Sequence, residues 1–226
     1  MTNREFFEMH VRPGRIGLVG GVTLVDRLIR RSQRPLTAAR AYSPWSHAFV
    51  FHGRRADGHN WVIESDLDIR RKHIRLGVQE NRVAKYYDDA AYTCVAVLDL
   101  GLDESQVQQL LAHSLEQVAA GIRYSMREIF GTAWAMRHPG ERLLENRLAQ
   151  EQAFYCSAFV RHVCRQIGLD LAEGLAVKNT APHDIAESPL CQTRWLLVRE
   201  TLVEAKARTL LRKAGDRLRR VRAAKK

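Results

Sequence analysis

The chain has 226 residues, 46% of them apolar and 8% aromatic, with a formal net charge of +11. That is enough chain and enough apolar surface for one large domain with a real core, and it excludes a disordered or fibrous protein. No run of about 18 apolar residues occurs, so no membrane-crossing helix is expected, and the first ten residues contain no apolar leader core. Ten of the basic residues fall between Thr201 and Lys226, against only Glu204 and Asp216. That segment carries +8 and the other 200 residues carry +3, so the basic character belongs mainly to a tail.

Residues 1–12 read as an N-terminal arm ending at Pro13-Gly14. Arg15 to Val19 reads as a short strand closed by Gly20-Gly21. Val22, Val25, Leu28 and Ile29 then repeat at helical spacing, and Arg31 to Pro44 reads as a basic loop. Ser46 to His52 alternates, with His47, Phe49 and Phe51 on one face and Ala48, Val50 and His52 on the other. Gly53 to Gly58 is a polar loop, and a second strand runs from about Asn60 to Asp66, so a hairpin is expected. Symmetric closure of that loop pairs residues whose numbers sum to 111 and sets His47 against Glu64. A tighter turn sets Asp68 there, and an intermediate register sets Asp66 there. All three acids share one face by parity.

A short strand is expected at His73 to Gly77, and a strand with mixed faces at Tyr92 to Leu100. Asp103 caps a helix to about Ala120, with Val107, Leu110, Leu111, Leu115 and Val118 turned inward, and Gly121 ends it. Tyr124 opens a second helical region whose Met126, Ile129, Phe130, Ala133, Trp134 and Arg137 trace one face. His138-Pro139-Gly140 breaks it. A polar helix is expected from Glu141 to about Glu151. A short helix starts at Pro182-His183-Asp184, Trp195 to Arg199 reads as a strand, and residues 201–226 read as a basic helix.

The most informative stretch is Ala153 to Gly168. Cys156, Phe159, Val160, Val163, Cys164 and Ile167 make the apolar stripe of a helix packed on a core, with Gly168 at its stop. Cys156 falls in the first turn, where free backbone N–H groups and the helix dipole favour a thiolate. Cys164 lies mid-helix and packs as a small apolar group. None of Cys94, Cys156, Cys164 and Cys191 forms a C-x-x-C pair, which argues against a structural zinc site. A thiol nucleophile needs a base, and the base needs a group to orient it. Cys156, His47 and Glu64 supply those three roles in the order strand histidine, neighbouring-strand acid, helix-start cysteine.

Several short motifs carry a resemblance. Pro-Gly-Arg-Ile-Gly-Leu-Val (13–19), Ser-His-Ala-Phe-Val-Phe (46–51), Trp-Val-Ile-Glu-Ser (61–65), Gly-Ile-Arg-Tyr (121–124) and Phe-Tyr-Cys-Ser-Ala-Phe-Val (154–160) resemble the circularly permuted branch of the NlpC-type papain-like cysteine hydrolases, the YiiX/YebB-like group. The likeness covers roughly residues 13 to 198. It implies an α+β, papain-like fold: an antiparallel sheet packed against the cysteine helix. It also implies hydrolysis or acyl transfer at an amide, ester or thioester through an acyl-enzyme. By position it makes Cys156 the nucleophile, His47 the base and Glu64 the orienting acid. The Cys156 backbone N–H would donate to the oxyanion, and Tyr124 and Tyr155 would line the substrate site. Arg15 departs from the pattern, which has an acid after Pro-Gly.

The expected organisation is therefore an arm (1–12), a hydrolase domain (13–200) and a basic tail (201–226), in a cytoplasmic protein that touches a membrane at most peripherally. No cofactor or metal is called for. The substrate is a small molecule, peptide or lipid, and residues 201–226 suit an anionic membrane or nucleic acid. The alternative is a non-catalytic binding module on the same fold, docked by that tail.

Overall fold

The structure is a computed structural model that describes residues 1–38, 40–66, 77–150 and 153–199. The strand expected at 73–77, apart from Gly77, the candidate acid Asp68 and the basic tail from residue 201 lie outside the described residues.

Among the described residues, six antiparallel strands form one sheet in the order β4-β3-β2-β1-β5-β6. They are β1 (Ile16–Gly21), β2 (His47–Arg54), β3 (Asn60–Asp66), β4 (Gly77–Arg82), β5 (Tyr92–Asp99) and β6 (Thr193–Val198). The α-helices among the described residues are α1 (Asn3–His10), α2 (Leu24–Ser32), α3 (Glu104–Ala119), α4 (Met126–Ala135), α5 (Cys156–Gln166) and the short α6 (Pro182–Ala186). The architecture is thus α+β, as expected.

The sheet is covered on both faces. On one face Ile16, Leu18, Ala48, Val50, Ile63 and Ala96 pack with Phe159, Val160, Val163 and Cys164 of α5. On the other, Val19, Phe49, Phe51, Val62 and Val97 pack with Phe6 and Phe7 of α1. The N-terminal residues are therefore a helix of the second core. Its start was legible, since Thr2 and Glu5 close a reciprocal capping box.

β1 runs through Gly20-Gly21 instead of being closed by them. A Cβ at Gly20 would meet the Pro44 carbonyl oxygen at 1.9 Å, and one at Gly17 would meet the Phe49 ring at 2.0 Å. These glycines admit close neighbours within a strand. Arg15, the departure from the motif, pairs with Asp99 at 2.7 Å and lies over the Trp195 ring.

The hairpin register differs from the symmetric one. Val50 pairs with Ile63 and Phe51 with Val62, a sum of 113, and the register slips by one before Gly53↔Trp61. His52 is the extra residue of a bulge, which the symmetric count of loop residues did not include. β4 was not expected, because Gly77–Arg82 is polar and its alternation is weak.

The polar helix expected at Glu141 to Glu151 does not form. A 3-10 turn spans Pro139–Arg142, and the described chain after it is irregular. Asn146 replaces helical bonding there: its amide donates to the Glu128 and Lys178 carbonyls at 2.9 and 2.7 Å. A segment with no apolar stripe had no buried face to hold it helical. α3 keeps its Asp103 cap, but Leu110 is the one residue of its expected inner set that is fully buried.

Candidate functional site

α5 begins where the apolar stripe predicted. Gly168 takes φ +79°, the left-handed conformation that stops the helix, and Leu169 N–H returns to the Cys164 carbonyl. The N-cap is Tyr155, whose side chain makes no capping bond, so the N–H groups of the first turn face the site without a side-chain acceptor. Three hydroxyls fix this turn. Ser65 of β3 donates to the Phe154 carbonyl at 2.6 Å, and Tyr155 and Ser157 both donate to the Thr180 carbonyl at 2.7 Å. Cys156 is thus clamped from both neighbours.

His47 is the first residue of β2, at the end of the sheet. Its ring lies against Phe49 and Tyr86, which stack on one another at 4.7 Å. Cys156 belongs to the core on the other face, and the two meet at the sheet's end, where the thiol raises the proton affinity of the imidazole. Nε2 of His47 is 2.7 Å from Oε2 of Glu64, which leaves Nδ1 for the thiol. Burial opposes the charge on His47, but the Cys156 sulfur and the Glu64 carboxylate outweigh it and hold the imidazole well above its usual 6.5.

Glu64 is fully buried and takes four donors. Besides His47 they are Asn81 Nδ2 and Lys85 Nζ, each 2.8 Å from Oε1, and the Tyr86 hydroxyl on Oε2. Burial alone would raise its pKa, but the Lys85 ammonium and His47 reverse that and keep the carboxyl far below 4.5. The Glu64 side chain is therefore an acceptor with no proton of its own. Asp66 is engaged by the same Lys85. Continued to His47, the observed register would put Asp66 directly opposite, so the neighbouring lysine and the longer reach of Glu64 decide which acid serves. Asn81, Lys85 and Tyr86 were not singled out from the sequence. They come from β4 and the 3-10 turn Val83–Tyr86, whose short polar stretches carry no motif.

Tyr124 precedes the Ser125 cap of α4 and is half-buried. Burial, then the nearby Cys156, raises its phenol well above 10, so the phenol keeps its proton. Tyr155 is placed differently from a surface binding residue. Its hydroxyl is spent inward on Thr132 and the carbonyls of Lys178 and Thr180, and its ring lines a cleft. That cleft is narrow, with a volume of about 20 Å³, and reaches Cys156 between α2 and α4, with Ile29, Ile129, Met136 and Pro182 on its walls. Cys164 is inert by contrast: burial, then Asp170, pushes its thiol up to about 12.

No protein-family model matches the sequence, and no curated protein matches it. Among solved structures, the chain is similar to a crystal structure described as the metalloprotein YiiX from Escherichia coli O157:H7. The TM-score is 0.53 at 14% identity, covering 84% of this chain and 98% of that one. The fold is YiiX-like. YiiX is described as a metalloprotein, but the donor set here does not fit a metal. Both Glu64 oxygens are taken, one of them by an ammonium. Among the described residues no group of three or more His, Cys, Asp or Glu could hold an ion. No described helix is long and apolar enough to cross a membrane.

Proposed function

We propose that the protein is a cysteine hydrolase or acyltransferase of the permuted papain-like, NlpC-type kind. The observation that carries this reading is the Cys156–His47–Glu64 chain: a thiol at an uncapped helix start, beside an imidazole whose Nε2 is held 2.7 Å from a buried carboxylate.

The chemistry follows from the geometry. Cys156, with its proton on His47, attacks the carbonyl carbon of an amide, ester or thioester. The developing oxyanion is met by the Cys156 backbone N–H and the helix dipole. His47 then gives its proton to the leaving group, which departs and leaves an acyl-enzyme. A water, or an acceptor nucleophile, gives its proton to His47 as it attacks the thioester, and Cys156 is released. Glu64, ionised throughout, holds the imidazole in orientation and stabilises the imidazolium. Its own proton affinity is kept low by Lys85, so it does not compete for the proton His47 carries.

The apolar walls of the cleft at Cys156 favour an acyl part with an apolar chain or side chain. The test is iodoacetamide alkylation followed by peptide mapping, together with turnover of thioesters and p-nitrophenyl esters of graded acyl length. Cys156 should alkylate fast at neutral pH, ahead of Cys94, Cys164 and Cys191, and longer acyl chains should give higher kcat/KM. Slow, non-selective alkylation with no turnover would remove the reading.

A further inference from the structure

α2 is inverted relative to an ordinary surface helix. Two of its polar side chains, and Gln33 after them, face the body of the protein. Asp26 accepts from the Ser46 hydroxyl at 2.7 Å, Arg30 donates to the Ser43 carbonyl at 2.9 Å, and just past its end Gln33 donates to the Trp45 carbonyl at 2.7 Å. Leu24, Val25 and Leu28 face out, with Leu24 74% and Leu28 56% exposed, while Ile29 lines the cleft. The apolar repeat that would normally mark a buried stripe is here the outer face. α4, which packs beside α2 on the far wall of the cleft, does the same with Phe130, 63% exposed, and Trp134. Leu143 and Leu144 follow in the next segment, both well exposed. Most of the large exposed apolar side chains among the described residues thus gather on the elements that wall one cleft and the segment after them.

The same surface is cationic. Arg27, Arg31 and Arg34 are exposed on and just after α2, and Arg127 and Arg137 on and just after α4. The acids of the two helices are turned inward: Asp26 to Ser46, and Glu128, fully buried, to Lys178. Exposed leucine and aromatic side chains interleaved with arginine are what an interfacial helix presents to anionic lipid headgroups and the first methylenes below them. Charge argues against other covers. The tail carries +8 and residues 67–76 carry four cations against Asp68, so neither is attracted to an arginine-rich face. A second copy would set arginine against arginine.

We propose that the outer faces of α2 and α4 form a docking surface for an anionic membrane, with the Cys156 cleft opening between them toward the lipid. This surface is separate from the basic tail, and it stands whether or not Cys156 is catalytic. Leucine and phenylalanine enter the interface while the arginines meet lipid phosphates. Nucleic acid would use the cations alone and leave the apolar side chains in water.

The test is co-sedimentation of the full chain with phosphatidylcholine vesicles containing about 30% phosphatidylglycerol. The comparison variant is Leu24→Ser/Leu28→Ser/Phe130→Ser, checked for folding by circular dichroism. The wild type should bind, and the variant should partition at least about tenfold more weakly, because it loses most of the apolar area that enters the bilayer. Binding to duplex DNA should be equal in the two. As a second measure free of any folding effect, brominated lipid should quench wild-type tryptophan fluorescence, and most of that quenching should vanish in Trp134→Phe. Equal vesicle binding by wild type and variant overturns the proposal, as does absence of wild-type binding. A wild-type dimer that becomes monomeric in the variant would assign the face to a second copy, and a parallel loss of DNA binding would assign it to nucleic acid; either result also overturns the proposal.

Discussion

The carboxylate of Glu64 reaches the imidazole of His47 at 2.7 Å although the two residues are not opposite one another in the β2–β3 ladder. By the pairing of Val50 with Ile63, Glu64 lies across from Phe49 and reaches His47 on the diagonal. The contact is made by side-chain length and by Lys85, which draws the Asp66 carboxylate away while anchoring the far oxygen of Glu64. A buried carboxylate with four donors has little freedom, so the imidazole it holds has little freedom either.

Glu64→Gln should therefore lower kcat by one or more decades while leaving the Cys156–His47 pair in place, since general-base assistance is worth about 10²–10⁴-fold. The pH profile should move as well. Glu64 is one of the groups that raise the His47 pKa above 6.5, so in Glu64→Gln the alkaline limb of kcat should shift to lower pH. Asp66→Asn should change kcat much less. A steady-state pH–rate profile of the three proteins checks all of this, and an unmoved limb would detach Glu64 from His47.

Cys156→Ser should abolish turnover and leave the fold intact, because serine is well tolerated at a helix start. Cys164→Ser should keep activity and lower stability by about 1–3 kcal/mol, since it buries a hydroxyl in an apolar core. Full activity in Cys156→Ser, on any substrate the wild type cleaves, would refute the mechanism.

Lys85→Met tests the electrostatic anchor. The folded Glu64 carboxyl is held below its unfolded value, so its contribution to stability is present above about pH 4.5 and is lost only as pH falls through the depressed folded value. Lys85 is the largest cause of that depression. Without it the carboxyl is buried with less compensation, its pKa rises, stability near neutral pH falls, and the further loss on acidification becomes smaller. Urea unfolding between about pH 3 and pH 7 should show the variant less stable than the wild type at pH 7, with a shallower decline towards pH 3.

Arg161 is the most deeply buried guanidinium among the described residues. It forks onto Asp170 at 2.6 and 3.0 Å and donates to the Leu175 and Ala176 carbonyls and the Thr180 hydroxyl. It thus ties α5 to the segment whose Thr180 carbonyl receives Tyr155 and Ser157. Arg161→Met should cost about 3–5 kcal/mol by stranding these acceptors and Asp170, measured by urea unfolding. Iodoacetamide labelling of Cys156 should lose selectivity in the same variant, because the turn that presents the thiol is held through Thr180.

Much of this protein is readable from local signals. The cysteine helix, with its stripe and its Gly168 stop, is a strong periodic pattern closed by a residue free to take positive φ. The Asp103 cap, the His47 strand and the Asn60–Asp66 strand are equally local. They supply the thiol, the imidazole and a face bearing the acids. What no local pattern could decide was which acid serves. That depended on a bulge at His52, which changes the register by one, and on Lys85 and Tyr86, which lie more than 30 residues from His47 and meet Glu64 only once β4 has paired with β3. The direction of α2 was equally out of reach. Val25 and Leu28 repeat as a core stripe would, yet Asp26, Arg30 and Gln33 find their hydrogen-bond partners on the body of the protein. Periodicity identifies the two faces of a helix, but the partners available to its polar side chains decide which of them turns inward.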